Sequence, residues 1–168
     1  FEVYLGHAQG KRLNNLTATP PVLSPIPNKD IRGFKEVSIS VLNKKNYRIN
    51  LTEAQVIKKS GDYSAIAITK SKDMAKPWQH IKIGLNPKEM KYQWCQGELS
   101  SCCFFPKDFI MYNNLLVGII NGREPKKTIN NQKVYGKFRP GLILFDPETG
   151  KIPWISKEPL FEDPDART

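Results

Sequence analysis

Glu98 lies in the stretch Gln96-Gly-Glu-Leu-Ser-Ser-Cys102, shortly after Trp94 and just ahead of an apolar segment. A carboxyl beside an aromatic ring can be lifted in pKa until it donates a proton. It can also accept hydrogen bonds from a sugar whose C–H face rests on the indole. The plain alternative is a solvated turn residue. Trp94 sits in a polar loop and is the tryptophan expected to face a ligand. Trp78 and Trp154 each follow a proline at one place in a loosely repeated segment, and both are expected in the core. His7 follows Gly6 at a strand end, where it could line a binding site or simply lie on the surface. Asp108, Glu124 and Asp146 stand beside prolines or in turns and read as solvated or capping groups.

Other chemistries find little support. Three cysteines, Cys95, Cys102 and Cys103, cannot all pair with one another. Cys102 and Cys103 would point to opposite faces of a strand, so one of them belongs in a core. The only histidines are His7 and His80, and no set of these residues has zinc-site spacing. No metal and no cofactor is expected. The chain lacks a P-loop, a G-x-G-x-x-G turn, a G-x-S-x-G elbow and an H-E-x-x-H helix. A nucleophile–base pair of Cys95 or Cys102 with His80 has no spacing in its favour.

Lysine and arginine total 26 against 16 acidic residues, a net charge of +10 over 168 residues. Such an excess invites an anionic partner. The lysines fall in short, separated pairs at 44–45, 58–59 and 126–127, each at an expected hairpin turn, with no run of five basic residues. Nothing matches a ribonucleoprotein motif. Solvated turn lysines are the expectation and nucleic acid is not the expected partner; a basic cleft for nucleic acid or an acidic glycan is the alternative. The longest apolar run, 115–120, is too short to span a bilayer as a helix, so no membrane partner is expected. Glycosylation triplets at Asn15 and Asn50 lean towards a secreted or periplasmic location without fixing it.

The elements that must hold these residues read as short strands. Residues 1–6 form a strand, and the proline-rich stretch 11–30 reads as a long irregular connection. Residues 35–42 alternate as a half-buried strand, with a return over 47–51 and a separate short strand at 54–58. A strand is expected over 63–69, a brief one at 81–83 and a helical turn at 86–90. Apolar segments at 102–105, 109–112 and 115–120 follow, the last two around an Asn113-Asn114 turn. Residues 124–137 read as a polar loop, 142–145 as a buried strand, 146–150 as a turn with Gly150 at positive φ, and 152–155 as a strand. No amphipathic helix exceeds two turns. The pattern is all-β: antiparallel short strands of a sandwich, barrel or propeller.

Two segments resemble each other: Tyr63-Ser-Ala-Ile-Ala-Ile-Thr-Lys-Ser-Lys-Asp-Met-Ala-Lys-Pro-Trp78 and Gly141-Leu-Ile-Leu-Phe-Asp-Pro-Glu-Thr-Gly-Lys-Ile-Pro-Trp154. Each is an apolar strand, a polar turn with lysine, then Pro-Trp, as a propeller blade repeats strand, turn and strand. These segments, with Tyr112-Asn-Asn-Leu-Leu-Val-Gly-Ile-Ile-Asn-Gly-Arg123 and Lys157-Glu-Pro-Leu-Phe161, resemble elements of the five-bladed β-propeller glycoside hydrolases of families 43, 32 and 130. The stretch 146–154 also suits a quinoprotein-type propeller repeat.

The resemblance implies propeller-like blades and cleavage of glycosidic bonds by a carboxyl acid/base pair. The stretch Glu53-Ala-Gln-Val-Ile-Lys-Lys-Ser-Gly-Asp-Tyr63 resembles the segment that carries the general acid of family 43, which makes Glu53 a catalytic candidate beside Glu98; Gln55 departs from the usual proline. Arg123 resembles an arginine that contacts substrate at a hairpin end. The implied partner is an oligosaccharide or polysaccharide. The alternatives are a non-catalytic propeller module that binds glycan or protein, and a basic β-domain for nucleic acid. At ordinary strand lengths 168 residues make roughly three blades. Together with the absence of an initiator Met, this leads to the expectation of a segment of a larger propeller domain, or of a fold completed by a second chain.

Overall fold

Alternating apolar and polar residues fold here as antiparallel strands throughout. The computed structural model describes residues 2, 4–42, 47–103 and 111–161, with side chains described except at 36–42, 80, 81, 101–103 and 111. Among the described residues the only helical pieces are single 3-10 turns at 27–29, 87–89 and 93–95. The features at Asp108 and in 104–110 lie outside the described residues.

Strands β1 (Leu5–Arg12) and β2 (Asn15–Leu23) form a hairpin. Strands β3 (Ile31–Leu42), β4 (Arg48–Val56), β5 (Tyr63–Ser71) and β6 (Gln79–Leu85) form a four-stranded meander in that order. The second large sheet begins with β7 (Glu98–Cys103), two-residue β8 (Met111–Tyr112) and β9 (Leu115–Arg123). A small hairpin, β10 (Lys127–Ile129) and β11 (Gln132–Val134), stands out before β12 (Phe138–Asp146) and β13 (Lys151–Ile155) complete the sheet in the order β13-β12-β9-β7, with β8 also on β9. Both large sheets are therefore meanders. The segment 63–78 covers β5 and the turn that leads into β6, whereas 141–154 covers most of β12, the turn and most of β13. No barrel or propeller ring is closed among the described residues.

The first sheet is covered on both faces. Ile49, Leu51, Ile66 and Ile68 on one face meet Leu99, Leu116, Ile120, Ile143 and Phe145 of the second sheet. On the other face Phe34, Ala54, Ala67 and Trp78 pack under Val22 and Leu23 of the β1–β2 hairpin. Double coverage explains why β5 is buried almost continuously instead of alternating. Among the described residues the second sheet has one covered face, and β9 alternates between buried and half-buried positions. On its other face Leu115, Val117, Leu142 and Leu144, flanked by Tyr112 and Trp154, line an open apolar depression of about 550 Å³.

Several expectations are corrected. The proline-rich stretch is a hairpin, because Pro20-Pro21 falls in a bulge between the Leu5–Leu23 and His7–Thr19 pairs, where a missing N–H interrupts no ladder bond. Residues 48–56 are one continuous strand. The polar loop contains a hairpin turning on Asn130-Asn131 at φ 49 and 60, the same left-handed pair that Asn113-Asn114 forms at φ 48 and 63. Asparagine tolerates this region, so two-residue turns form without glycine. Trp154 is not core: it is 46% exposed, whereas Trp78 is buried as expected. Gly150 does take positive φ, at 69. Asn50 is fully buried and donates to Ser71 Oγ at 3.2 Å, which leaves Asn15, exposed at the tip of β1–β2, as the accessible triplet.

Candidate functional site

Three strand positions meet where the second sheet ends. Register sets Glu98, first in β7, and Phe138, first in β12, on either side of Arg123, last in β9. Paired residues of an antiparallel ladder share a face, so these three side chains lie in a row. Arg123 Nη1 donates to Glu98 Oε2 at 2.7 Å and Arg123 Nε to the Gly136 carbonyl at 3.2 Å. Its guanidinium lies 4.3 Å from the Tyr135 ring centre and 4.8 Å from that of Phe138. A planar cation held by a carboxylate, a carbonyl and two rings has little freedom left.

This row forms one wall of a cleft of about 340 Å³. The opposite wall is the β4–β5 turn at Ser60, Gly61 and Asp62, with Tyr63 and Lys88 beside it. Tyr135 and the lysines of the β10–β11 hairpin close the third side. The chain can make this corner because Gly97 and Gly136 both pass against the Glu124 carbonyl, where a Cβ on either would overlap it. Gly97 N–H also donates to the Arg123 carbonyl at 2.7 Å. Glu124 is not a free turn residue: it faces Arg139 at 3.4 Å and Lys127 at 3.6 Å. Asp62 pairs with Arg32 at 2.9 Å.

Glu98 and Arg123 are thus brought together in one cleft, and the other candidates lie elsewhere. Glu53 on β4 is buried and does not line the cleft. Its Oε1 accepts from Lys35 Nζ at 2.9 Å and its Oε2 from Ser100 Oγ at 2.8 Å, which ties β3 and β4 to β7 of the other sheet. Burial alone would push this carboxyl up. The hydrogen bonds from Lys35, Ser64 and Ser100, with the Lys35 charge, outweigh it and hold Glu53 below the ordinary carboxylate value. Such a group is a carboxylate at neutral pH and holds no proton to donate.

Trp94 is a correction. It is 4% exposed and belongs to the core between the sheets. The polar residues around it in sequence point elsewhere, while its ring fills the hollow left by Gly122 on β9 and Gly141 on β12; a Cβ on Gly122 would come within 2.5 Å of it. It has no face to offer a ligand. His7 is half-buried on the β1–β2 hairpin, with Nδ1 3.2 Å from Thr19 Oγ1, and does not line the cleft.

Tyr63, Tyr135 and Lys88 line the cleft without having stood out in the sequence. Tyr135 lies in the stretch read as a polar loop, and only the Asn130-Asn131 pair signals that this stretch folds back as a hairpin. Comparison with family models, with curated proteins and with solved structures finds no match.

Proposed function

We propose that this chain is a carbohydrate-active protein that binds an oligosaccharide or polysaccharide in the cleft between the β4–β5 turn and the β10–β11 hairpin. The observation that carries this reading is the fixed Arg123–Glu98 pair in the wall of a concave cleft. An oriented guanidinium with a carboxylate offers both donors and acceptors for sugar hydroxyls. The four-stranded and five-stranded antiparallel sheets packed face to face support a propeller-like arrangement of the five-bladed kind. On that reading the uncovered apolar face around Trp154 takes a further sheet from a second chain.

Hydrolysis of a glycosidic bond is the second reading. The observation in its favour is that Glu98 and Glu124 line the same cleft, so two carboxyls could flank a bound bond. Glu53 then acts at a distance, by joining β7 to the first sheet. A panel of neutral and acidic oligosaccharides titrated by calorimetry tests binding, and release of reducing ends tests hydrolysis. Binding without product selects the non-catalytic module. Product that persists unchanged in Glu98→Gln removes the assigned pair, and no binding of any saccharide removes the whole reading.

A further inference from the structure

The cations of the cleft are more numerous than its carboxylates, and the pairing leaves some of them over. Each carboxylate that lines the cleft already faces a cation: Asp62 faces Arg32, Glu98 faces Arg123, and Glu124 faces Arg139 and Lys127. Lys88, Lys126 and Lys133 also line it, and no carboxylate among the described residues pairs with any of them. Two of these ammonium groups stand over aromatic rings: Lys126 is 4.3 Å from the Tyr135 ring centre and Lys88 is 5.3 Å from that of Tyr63. Lys88, Lys126 and Lys133 come from separate parts of the chain and converge on one concave surface.

We infer that the cleft takes a saccharide carrying an anionic group, a carboxylate or a sulfate, which Lys88, Lys126 and Lys133 meet while the sugar hydroxyls face Arg123 and Glu98. The inference rests on the saccharide reading above and narrows its substrate class. Cation–π contact holds Lys126 and Lys88 near the rings, which reduces the ordering needed when the acid arrives. The low-dielectric wall formed by the rings strengthens the attraction relative to open solvent. Unpaired cations in a concave site also raise the local concentration of an anionic ligand. Nucleic acid fits less well, because the site is a compact pocket with one exposed ring and not a groove that could follow a phosphate backbone.

Calorimetry with a uronic-acid trisaccharide, a sulfated disaccharide, a neutral trisaccharide and a single-stranded oligonucleotide tests it. The expected result is that one acidic saccharide binds about ten-fold tighter than the neutral one, since each exposed charge contact is worth up to a factor of about five. Whichever acidic probe binds tighter identifies the anionic group. The double variant Lys126→Gln/Lys133→Gln, exposed at both positions and so expected to keep the fold, should bring the ratio of acidic to neutral affinity down to about one. Equal binding of neutral and acidic sugars overturns the inference while leaving the saccharide reading in place. Loss of both overturns the two together. A preference that survives the double variant, or tighter binding of the oligonucleotide with a steep salt dependence, also overturns it.

Discussion

Arg123 and Glu98 face each other across the β7–β9 ladder at 2.7 Å, each about a quarter exposed, with the guanidinium also bonded to the Gly136 carbonyl and stacked beside Tyr135. The pair joins the end of the sheet to the hairpin that closes the cleft. Its value lies in this geometry more than in its charge, because partly exposed ion pairs contribute little on their own.

Arg123→Lys should therefore fail as a conservative change. Lysine keeps the charge but cannot bond Glu98 and Gly136 together while lying flat beside two rings. We expect a loss of about 1–2 kcal/mol of stability in chemical denaturation and about a five-fold or greater loss of saccharide affinity. Unchanged affinity in a folded variant would show that the row does not contribute to the site.

Glu53→Gln tests the role of Glu53 as a junction between sheets. Glutamine can still accept from Ser100, but it loses the Lys35 charge, and Lys35, partly exposed, can turn to water. The expected cost is about 1–3 kcal/mol. The pH dependence has a definite sign. The folded carboxyl sits below its unfolded value of about 4.5, so its contribution is complete above that pH and is lost as pH falls through the folded value. Denaturation curves of wild type and variant should converge on acidification. A gap that stays constant down to the acid limit would contradict the assignment.

Gly141→Ala and Gly122→Ala should each push Trp94 out of its hollow. Two adjacent strands contribute these glycines, and a methyl on either enters the indole. Overpacking of this kind costs about 1–3 kcal/mol, more where backbone must move. Loss of near-ultraviolet dichroism together with a lower denaturation midpoint is the expected signature. Retention of both would show that the ring can repack freely.

Cys95 should be inert in the native protein. It is fully buried, its thiol donates to the Tyr92 carbonyl at 3.2 Å, and burial pushes it up to about 11. Peptide mapping after iodoacetamide treatment near pH 8 should find Cys95 unmodified in the folded state and modified in denaturant. Rapid native labelling would contradict its burial.

How far the sequence carried depended on whether local patterns were decided locally. The Asn113-Asn114 turn, the Gly150 turn and the apolar β5 run are short-range features, and each could be read directly. Pro20-Pro21 misled because proline excludes a strand only where its N–H is needed, and a bulge removes that need. Trp94 misled for the opposite reason: its polar neighbours in sequence say nothing of Gly122 and Gly141, distant residues that open the space it fills. Arg123 and Glu98 were both legible as candidates, but their meeting depends on the β7–β9 register. Tyr135 and Lys88 had no local signal of function at all.

The uncovered face of the second sheet yields the last prediction. Among the described residues both faces of the first sheet are covered by other strands, whereas Leu115, Val117, Leu142 and Leu144 stand open between Tyr112 and Trp154, which are 59% and 46% exposed. An apolar patch this continuous is unusual for a surface that meets only water. If a second chain supplies the covering sheet, the protein should sediment above its monomer mass of 19.2 kDa. Trp154→Glu should then return it to the monomer, because a carboxylate buried at that centre has no partner among the apolar residues around it. The same substitution should leave saccharide binding nearly unchanged, since Trp154 does not line the cleft. A wild-type protein that stays monomeric at all concentrations would show that no second copy covers this face.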